Sequence, residues 1–263
     1  RINRYVRSVV MSGQDSILVQ NITFSYGVNA QDSKNTILDN LSFQVNKGEW
    51  VAIMGPSGSG KTTLLNCLSG LLPLQSGNVS IGGVSLKSLS SAKLAKMRAT
   101  SMGFIFQNFN NLDALCAWQN VALPALAAKR SNKLDYQGAK QALAQVGLSD
   151  KIDAYPANLS GGQQQRVAIA RVLHQEPEVI FADEPTGALD RHSGKIIMDQ
   201  LNSLRERGVT IVMVTHDPWI ASFADKVVFL RDGRFVGEST ERDASKISLY
   251  LSKLEENEGG YDE

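Results

Sequence analysis

The chain has 263 residues, enough for one large domain or two small ones, and its 43% hydrophobic and 20% charged content is ordinary for a folded protein with a sizeable core. A formal net charge of +1 argues against a dominant polyanion-binding surface, so nucleic acid is not an expected partner. The longest apolar run, VALPALAA at 121–128, contains Pro124 and falls short of the roughly 18–20 residues needed to cross a bilayer.

The opening RINRYVRSVVMSG is basic but lacks the apolar core of a secretory signal, and residues 1–15 read as a flexible extension, with Met11 just before the first strand-like run. SILVQNITFSYG (16–27) and LDNLSFQVNKGEWVAIMG (38–55) alternate apolar and polar residues on either side of a polar loop at 28–36, which predicts antiparallel strands. WVAIMG is then continuously apolar, as a buried strand should be. It stops in GPSGSGKTT and gives way to the helical pattern LLNCLSGLL. SGNVSIGGVSL (76–86) predicts a hairpin turning at Gly82-Gly83. From about 88 the pattern becomes helical, most clearly in YQGAKQALAQVG (136–147) with Gly147 as its stop, and an inserted helical subdomain is expected over about 88–165. Strand-like runs return at EVIFAD (178–183), VTIVMVTH (209–216) and KVVFLRDGRFVGE (226–238), with helical stretches between them. Alternating strand and helix implies an α/β fold around a mostly parallel sheet. Residues 241–263 read as a short amphipathic helix and an acidic tail. Cys67 and Cys116 lack metal-ligand spacing and read as small buried residues in a reducing compartment.

GPSGSGKT, Gly55 to Thr62, matches the phosphate-loop pattern G-x-x-x-x-G-K-[ST] and has the required strand before it and helix after it. Its glycines let backbone N–H groups converge on phosphates, Lys61 adds a mobile charge for the β and γ oxygens, and Thr62 offers a hydroxyl to Mg²⁺. VIFADEP (179–185) delivers two adjacent carboxylates to a strand end, an expensive arrangement unless a cation waits there. Asp183 is the expected Mg²⁺ ligand and Glu184 the group that orients and polarises the attacking water. His216 closes the run TIVMVTH, within reach of a γ-phosphate. Gln107, at the end of GFIFQ, has a similar strand-end placement suited to both Mg²⁺ and water. In LSGGQ, Ser160, Gly161 and Gly162 leave the backbone bare at a helix start, which suits an anion. A plain serine N-cap on a surface helix is the alternative.

In order and spacing, GPSGSGKTT, Gln107, LSGGQ, VIFADE, ALD (188–190) and His216 resemble an ATP-binding cassette ATPase, the nucleotide-binding subunit of an ABC transporter. The resemblance covers about 16–238 and places the domain at 16–240. It implies a RecA-like P-loop NTPase fold with an antiparallel β subdomain and an inserted α-helical one. ATP and Mg²⁺ are the implied cofactors, ATP hydrolysis the implied activity, and Gly55, Pro56, Ser57, Gly58, Ser59, Gly60, Lys61, Thr62 and Thr63 the implied phosphate-binding set. Thr62, Gln107 and Asp183 are implied at the metal. Tyr26 falls where the family stacks an aromatic on adenine, or else it packs. In the family two cassettes stack head to tail, so Ser160, Gly161, Gly162 and Gln163 of one copy would cap ATP held by the other. Asp190 matches a residue that contacts the opposite subunit, with a helix N-cap as the equal alternative.

GFIFQNFNNL, NVALP, SGGQQQR and FADEPTGALD are similar to the MacB/LolD-type branch, and GGQQQR, FADEPTGALD and IVMVTHDP to Bce-type ATPases of antimicrobial-peptide sensing and resistance. The implied second partner is an FtsX-like permease at the membrane's cytoplasmic face. Residues 108–124 are where such a partner would dock, and Trp118 lines that groove or fills the subdomain core. The family's usual glutamate before NV is here Gln119, a departure that bears on that contact. Lipoprotein release and division-linked signalling share this engine and remain open as cargoes, as does the more distant alternative of a soluble ABC ATPase in DNA repair or translation.

Overall fold

In a computed structural model of the chain the described residues are 15–26, 36–127 and 133–256. Nearly all of the extension expected at 1–15, most of the polar loop expected at 28–36 and the acidic end of the tail lie outside them.

Two sheets build the molecule. β1 (Asp15–Ser25), β2 (Thr36–Asn46), β4 (Ser76–Ile81) and β5 (Val84–Ser85) form an antiparallel sheet ordered β2-β1-β4-β5. Leu18 faces Gln44 on one side and Ser80 on the other. Gly82 and Gly83, at φ 55° and 78°, make the tight turn from β4 to β5. The larger sheet runs β10-β9-β3-β8-β7-β6, from β10 (Arg234–Ser239) and β9 (Lys226–Arg231) through β3 (Trp50–Met54), β8 (Thr210–Val214) and β7 (Val179–Asp183) to β6 (Met102–Ile105). All its neighbours are parallel except β10, which turns back on β9 at Asp232-Gly233, both at positive φ.

β3, β7 and β8 are buried along their whole length. Their period-two alternation therefore feeds two cores rather than one core and solvent. Val51, Ile53, Phe181 and Val212 face α1 (Lys61–Leu68) and the antiparallel sheet, joining Leu64, Leu68, Ile17 and Leu38. Trp50, Ala52, Ile180 and Met213 face the other way, onto helices that follow later in the chain. Those helices are α3 (Ala117–Ala127), α4 (Tyr136–Gln145), α5 (Gly161–Gln175) and α6 (Arg191–Glu206), which contribute Val121, Leu143, Ile169 and Leu201. α2 (Ser91–Ser101) precedes β6, and the short α7 (Pro218–Ala221) follows β8.

One sequence expectation changes. The stretch read as helical from 88 contains β6, which pairs with β7 as an edge of the parallel sheet. MGFI is a four-residue apolar run, and so short a run carries no periodicity to separate strand from buried helix. Gly147, at φ 70°, does follow the end of α4, as expected of a helix stop. Cys67 and Cys116 are both buried and unpaired. Among the described residues no helix is long and apolar enough to cross a membrane.

The C-terminal helix α8 (Ala244–Glu256) lies against the β9–β10 hairpin. Tyr250 stacks on Phe229 with centroids 4.3 Å apart, and Gly237 leaves room for the Tyr250 hydroxyl. Asp225 is the polar pin of this end of the molecule. Its carboxylate accepts the Trp50 N–H at 2.9 Å and Arg205 Nε at 2.8 Å, and also pairs with Arg242. Asp225→Ala strands two arginines and a backbone donor, so it should lower the free energy of unfolding by about 2–3 kcal/mol in urea titrations.

Candidate functional site

β3 ends against Gly55, whose backbone passes so close to β9 that a Cβ there would lie 1.9 Å from the Leu230 carbonyl oxygen. Only glycine fits. The chain then curls into a loop: the Ser59 N–H donates to the Pro56 carbonyl at 3.3 Å, and the Ser59 carbonyl accepts from Gly233 N–H at 3.2 Å. Gly60, at φ 97°, is the N-cap of α1 and offers no side-chain cap, so the first N–H groups of that helix stay open to an anion. Lys61 folds its ammonium back over the loop and donates to the carbonyls of Gly55 (2.9 Å) and Pro56 (2.7 Å). Burial pulls the Lys61 pKa below its ordinary value, while the charges of Glu184 and Asp183 oppose that fall.

The carboxylates arrive from β7. Asp183 is buried, and desolvation raises its pKa; the Thr62 hydroxyl donates to it and works in the opposite direction. Glu184 leaves the strand in the left-handed region at φ 47°, a conformation that costs a non-glycine residue about 1–2 kcal/mol. The strain is held by three donors. His216 gives its backbone N–H (3.0 Å) and ring Nδ1 (2.8 Å) to Oε1, and the Thr215 hydroxyl gives 3.3 Å to Oε2. This arrangement requires the proton on His216 Nδ1.

These groups meet because the strands are in register: Ile53 and Asp183 both pair with Val214. The three strands therefore end level, and whatever follows each emerges along one edge. There a cleft of about 490 Å³ is lined by Gly55, Ser57, Gly58, Gly60, Lys61, Thr62 and Thr63 of the loop, by Gln107, Asp183, Glu184 and His216, and by Tyr26. Tyr26 is largely exposed and makes an edge contact with Phe24 at 5.0 Å. Of the remaining loop residues, Pro56 contributes its carbonyl to Lys61 and Ser59 is buried beneath the loop.

Among the described residues no three His, Cys, Asp or Glu side chains gather as a metal cluster. The set at the loop is one carboxylate, one hydroxyl and one amide, from Asp183, Thr62 and Gln107. That set fits Mg²⁺, an oxygen-seeking cation usually held by one or two carboxylates, with water and phosphate oxygens completing its octahedron.

Ser160, Gly161, Gly162 and Gln163 do not line this cleft. Ser160 is the N-cap of α5 in a reciprocal capping box: its hydroxyl accepts the Gln163 N–H at 3.3 Å, and its N–H donates to Gln163 Oε1 at 2.9 Å. The serine N-cap is thus present, with Gly161 exposed beside it. Asp190 likewise caps α6, accepting from Ser193 N–H at 2.9 Å and Oγ at 2.7 Å. Trp118 is partly buried against the core and meets Tyr136 edge-on at 5.1 Å.

Sequence reasoning passes over Thr215, Ile37 and Val214. Ile37 and Val214 line the cleft, and Thr215 holds Glu184. Thr215 carries a usable signal, a hydroxyl at the same strand end as His216. Ile37 and Val214 carry none beyond being apolar.

The loop's two kinds of glycine are separable by stability. Gly55→Ala should be strongly destabilising and abolish binding of a fluorescent ATP analogue, because the clash is with backbone. Gly58 has open space and only a left-handed φ of 79°, so Gly58→Ala should lower unfolding free energy by about 1 kcal/mol in denaturant titrations.

Comparison with known proteins agrees with this geometry. A family model described as ABC transporter matches residues 38–187, more than half of the chain. The macrolide export ATP-binding/permease protein MacB of Escherichia coli (strain K12) is 46% identical over 207 residues, 79% of this chain and 32% of MacB, so the chain spans about a third of that relative's length. The bacitracin export ATP-binding protein BceA of Halalkalibacterium halodurans is 42% identical over 231 residues, 88% of this chain and 90% of BceA. Among solved structures, the ATP-binding cassette MJ0796, a dimer in a post-hydrolysis state bound to ADP and Pi, superposes with a TM-score of 0.80 at 38% identity, covering 86% of this chain and 99% of that one. The fold, the phosphate loop and these matches together place the chain in the ABC transporter family, as an ATP-binding cassette.

Proposed function

We propose that the chain is the ATP-hydrolysing subunit of a membrane ABC transporter, that it closes on ATP as a pair of copies, and that it drives a permease of the FtsX-like, MacB type. One observation carries the reading. The cleft gathers Lys61, Thr62, Gln107, Asp183, Glu184 and His216 on one edge, yet the glycine-rich start of α5 stands outside it, with the Gly161 and Gly162 N–H groups not engaged by the Ser160–Gln163 capping box. One copy holds one half of each of two sites.

In this reading the loop N–H groups and Lys61 hold the β- and γ-phosphates, and Tyr26 stacks on adenine. Lys61 must give up the Gly55 and Pro56 carbonyls to do so. Asp183, Thr62 and Gln107 hold Mg²⁺, which neutralises charge on the phosphates when bound. Glu184 orients and polarises the attacking water, and His216 positions Glu184 while facing the γ-phosphate. Ser160, Gly161, Gly162 and Gln163 of a second copy close the site, the anion meeting a helix N-terminus. Electrostatic positioning supplies most of the acceleration. Hydrolysis removes the bridging γ-phosphate and the pair reopens.

The partner reading, a permease at the cytoplasmic face, rests on the family and on relatives named for export. Gln119, where the family usually has glutamate, accepts the Cys116 N–H at 3.1 Å and so serves the start of α3. Relatives named for bacitracin and macrolide export support antimicrobial-compound export or resistance as the setting.

Glu184→Gln keeps the shape of the pocket but loses the water-polarising charge. It should cut ATPase activity by about a hundredfold or more and trap a dimer with ATP in size-exclusion chromatography with light scattering; a strictly monomeric peak would refute the shared site. Lys61→Ala should remove nucleotide binding and turnover together, checked by equilibrium dialysis with ATP and by phosphate release.

A further inference from the structure

The turn that brings Gln107 into the cleft is held only in part by its own backbone. After β6 the Phe109 N–H donates to the Phe106 carbonyl at 3.1 Å, closing a turn around Gln107 and Asn108. The next two residues, Phe109 and Asn110, both sit in the left-handed region, at φ 60° and 49°. Neither is glycine, and two such residues in succession persist only when their surroundings over-determine them. Their carbonyls point to one place. Arg171 of α5 donates through Nη2 to Phe109 O at 2.7 Å and through Nη1 to Asn110 O at 2.8 Å. A guanidinium is suited to this, because its planar fork fixes two acceptors at once where an ammonium is a point charge.

The charge is not there to pair with an acid. Burial pulls the Arg171 pKa down to about 10, and its guanidinium is turned to the two backbone carbonyls. A cation in that position is a poor source of stability, since an apolar side chain would fill the space without a desolvation penalty. What an apolar residue cannot do is hold two carbonyls. Two further contacts tie the same loop to the same helix. Asn111 Nδ2 donates to the Gln164 carbonyl at 2.9 Å, and the Phe109 ring lies 3.6 Å from where a Cβ on Gly161 would sit, an ordinary van der Waals contact.

We infer that Arg171 is a positioning residue for the reaction, clamping the left-handed pair Phe109–Asn110 and thereby holding Gln107 in the nucleotide cleft. This rests on the proposed role of Gln107 at the metal and the attacking water. Arg171 touches neither; it acts through the backbone two and three residues further on. The helix that supplies the clamp begins at Ser160, so the group offered to a second copy's nucleotide and the support for this copy's own Gln107 belong to one rigid element.

The test is a double-variant cycle on the full chain. Arg171→Met alone should lower kcat for ATP about tenfold with KM within about twofold, as expected when a group is misplaced rather than lost. In a Gln107→Ala background the same change should cost no further activity beyond about twofold, because the residue it positions is already gone. Losses that multiply in the double variant would mean that Arg171 does not act through Gln107, and would overturn the inference. Arg171→Lys keeps the charge without the fork and should fall between wild type and Arg171→Met. If Arg171→Met fails to fold, Arg171→Lys carries the cycle under the same criterion. Hydrogen exchange of the nucleotide-free protein is a readout that needs no turnover. The Phe109 and Asn110 amides should exchange at least about tenfold faster in Arg171→Lys, and unchanged rates would also overturn the clamp. A monomeric Glu184→Gln variant would sink the dimer reading and leave the Arg171–Gln107 coupling to stand or fall on its own numbers.

Discussion

A strand buried on both faces has nowhere to put a polar side chain except beyond its last residue. β3, β7 and β8 are such strands, five residues each with no exposed face, and they lie side by side in register. Most groups with chemistry to offer therefore appear past Met54, from Asp183 or past Val214, along one edge of the sheet, with Gln107 joining them from beyond β6 and Tyr26 from beyond β1. The cleft is the consequence of that crowding. Its contents are set by the six or so residues that follow each strand, while its position is set by the alternation of Val, Ile, Phe and Met within them.

Crowding at the edge is also what makes the site electrostatically poised. Asp183 is desolvated, which disfavours its charged form, and Glu184 adds a like charge beside it. Lys61 is desolvated as well and occupies itself with two loop carbonyls. Neither arrangement satisfies these groups as well as a polyphosphate with its cation would. A divalent cation would favour the charged form of the buried carboxylate, and the ammonium holds neutral acceptors where anionic ones would bind it more strongly. Glu184 differs, because its charge is already met by Thr215 and His216, and that support holds it in a strained backbone turn. In the proposed function one carboxylate is thus prepared for a cation and the other for a water. The asymmetry comes from their neighbours, since the two residues are adjacent in sequence.

How much of this is legible in the sequence depends on whether a residue's surroundings are local. GPSGSGKTT, VIFADE and TIVMVTH each couple an apolar run to a polar end, so strand, end and emerging group can be read in a single window. The hairpin at Gly82-Gly83 is legible for the same reason. β6 is legible only through the strand-end placement of Gln107 in GFIFQ; its four apolar residues fit a strand or a buried helix equally, and only the pairing with β7 decides. The sequence also shows that Ser160 opens a helix, but the reciprocal bonds with Gln163 that define its cap emerge only in three dimensions. Arg171 is the clearest case of invisibility. Within VAIARVL it looks like one basic residue on a helix, and its two acceptors lie 61 and 62 positions earlier in the chain.

Long-range ties of that kind make α5 more than a surface helix. Gln165 donates from within it to the Pro185 carbonyl at 2.9 Å, one residue past Glu184. A Cβ on Gly162 would come within 3.0 Å of the Ala188 carbonyl oxygen, so the helix start is seated against the segment that follows the Glu184 turn. With Arg171 and Asn111 on its other flank, the helix is fastened both to the loop bearing Gln107 and to the turn bearing Glu184. In the proposed pair its N-terminal end is the one offered to a second copy. A phosphate pulling on that end therefore pulls on an element that shares hydrogen bonds with two walls of this copy's own cleft. Coupling between two nucleotide sites in a closed pair then needs no separate relay: the lid of one site and the supports of the other are the same fifteen residues.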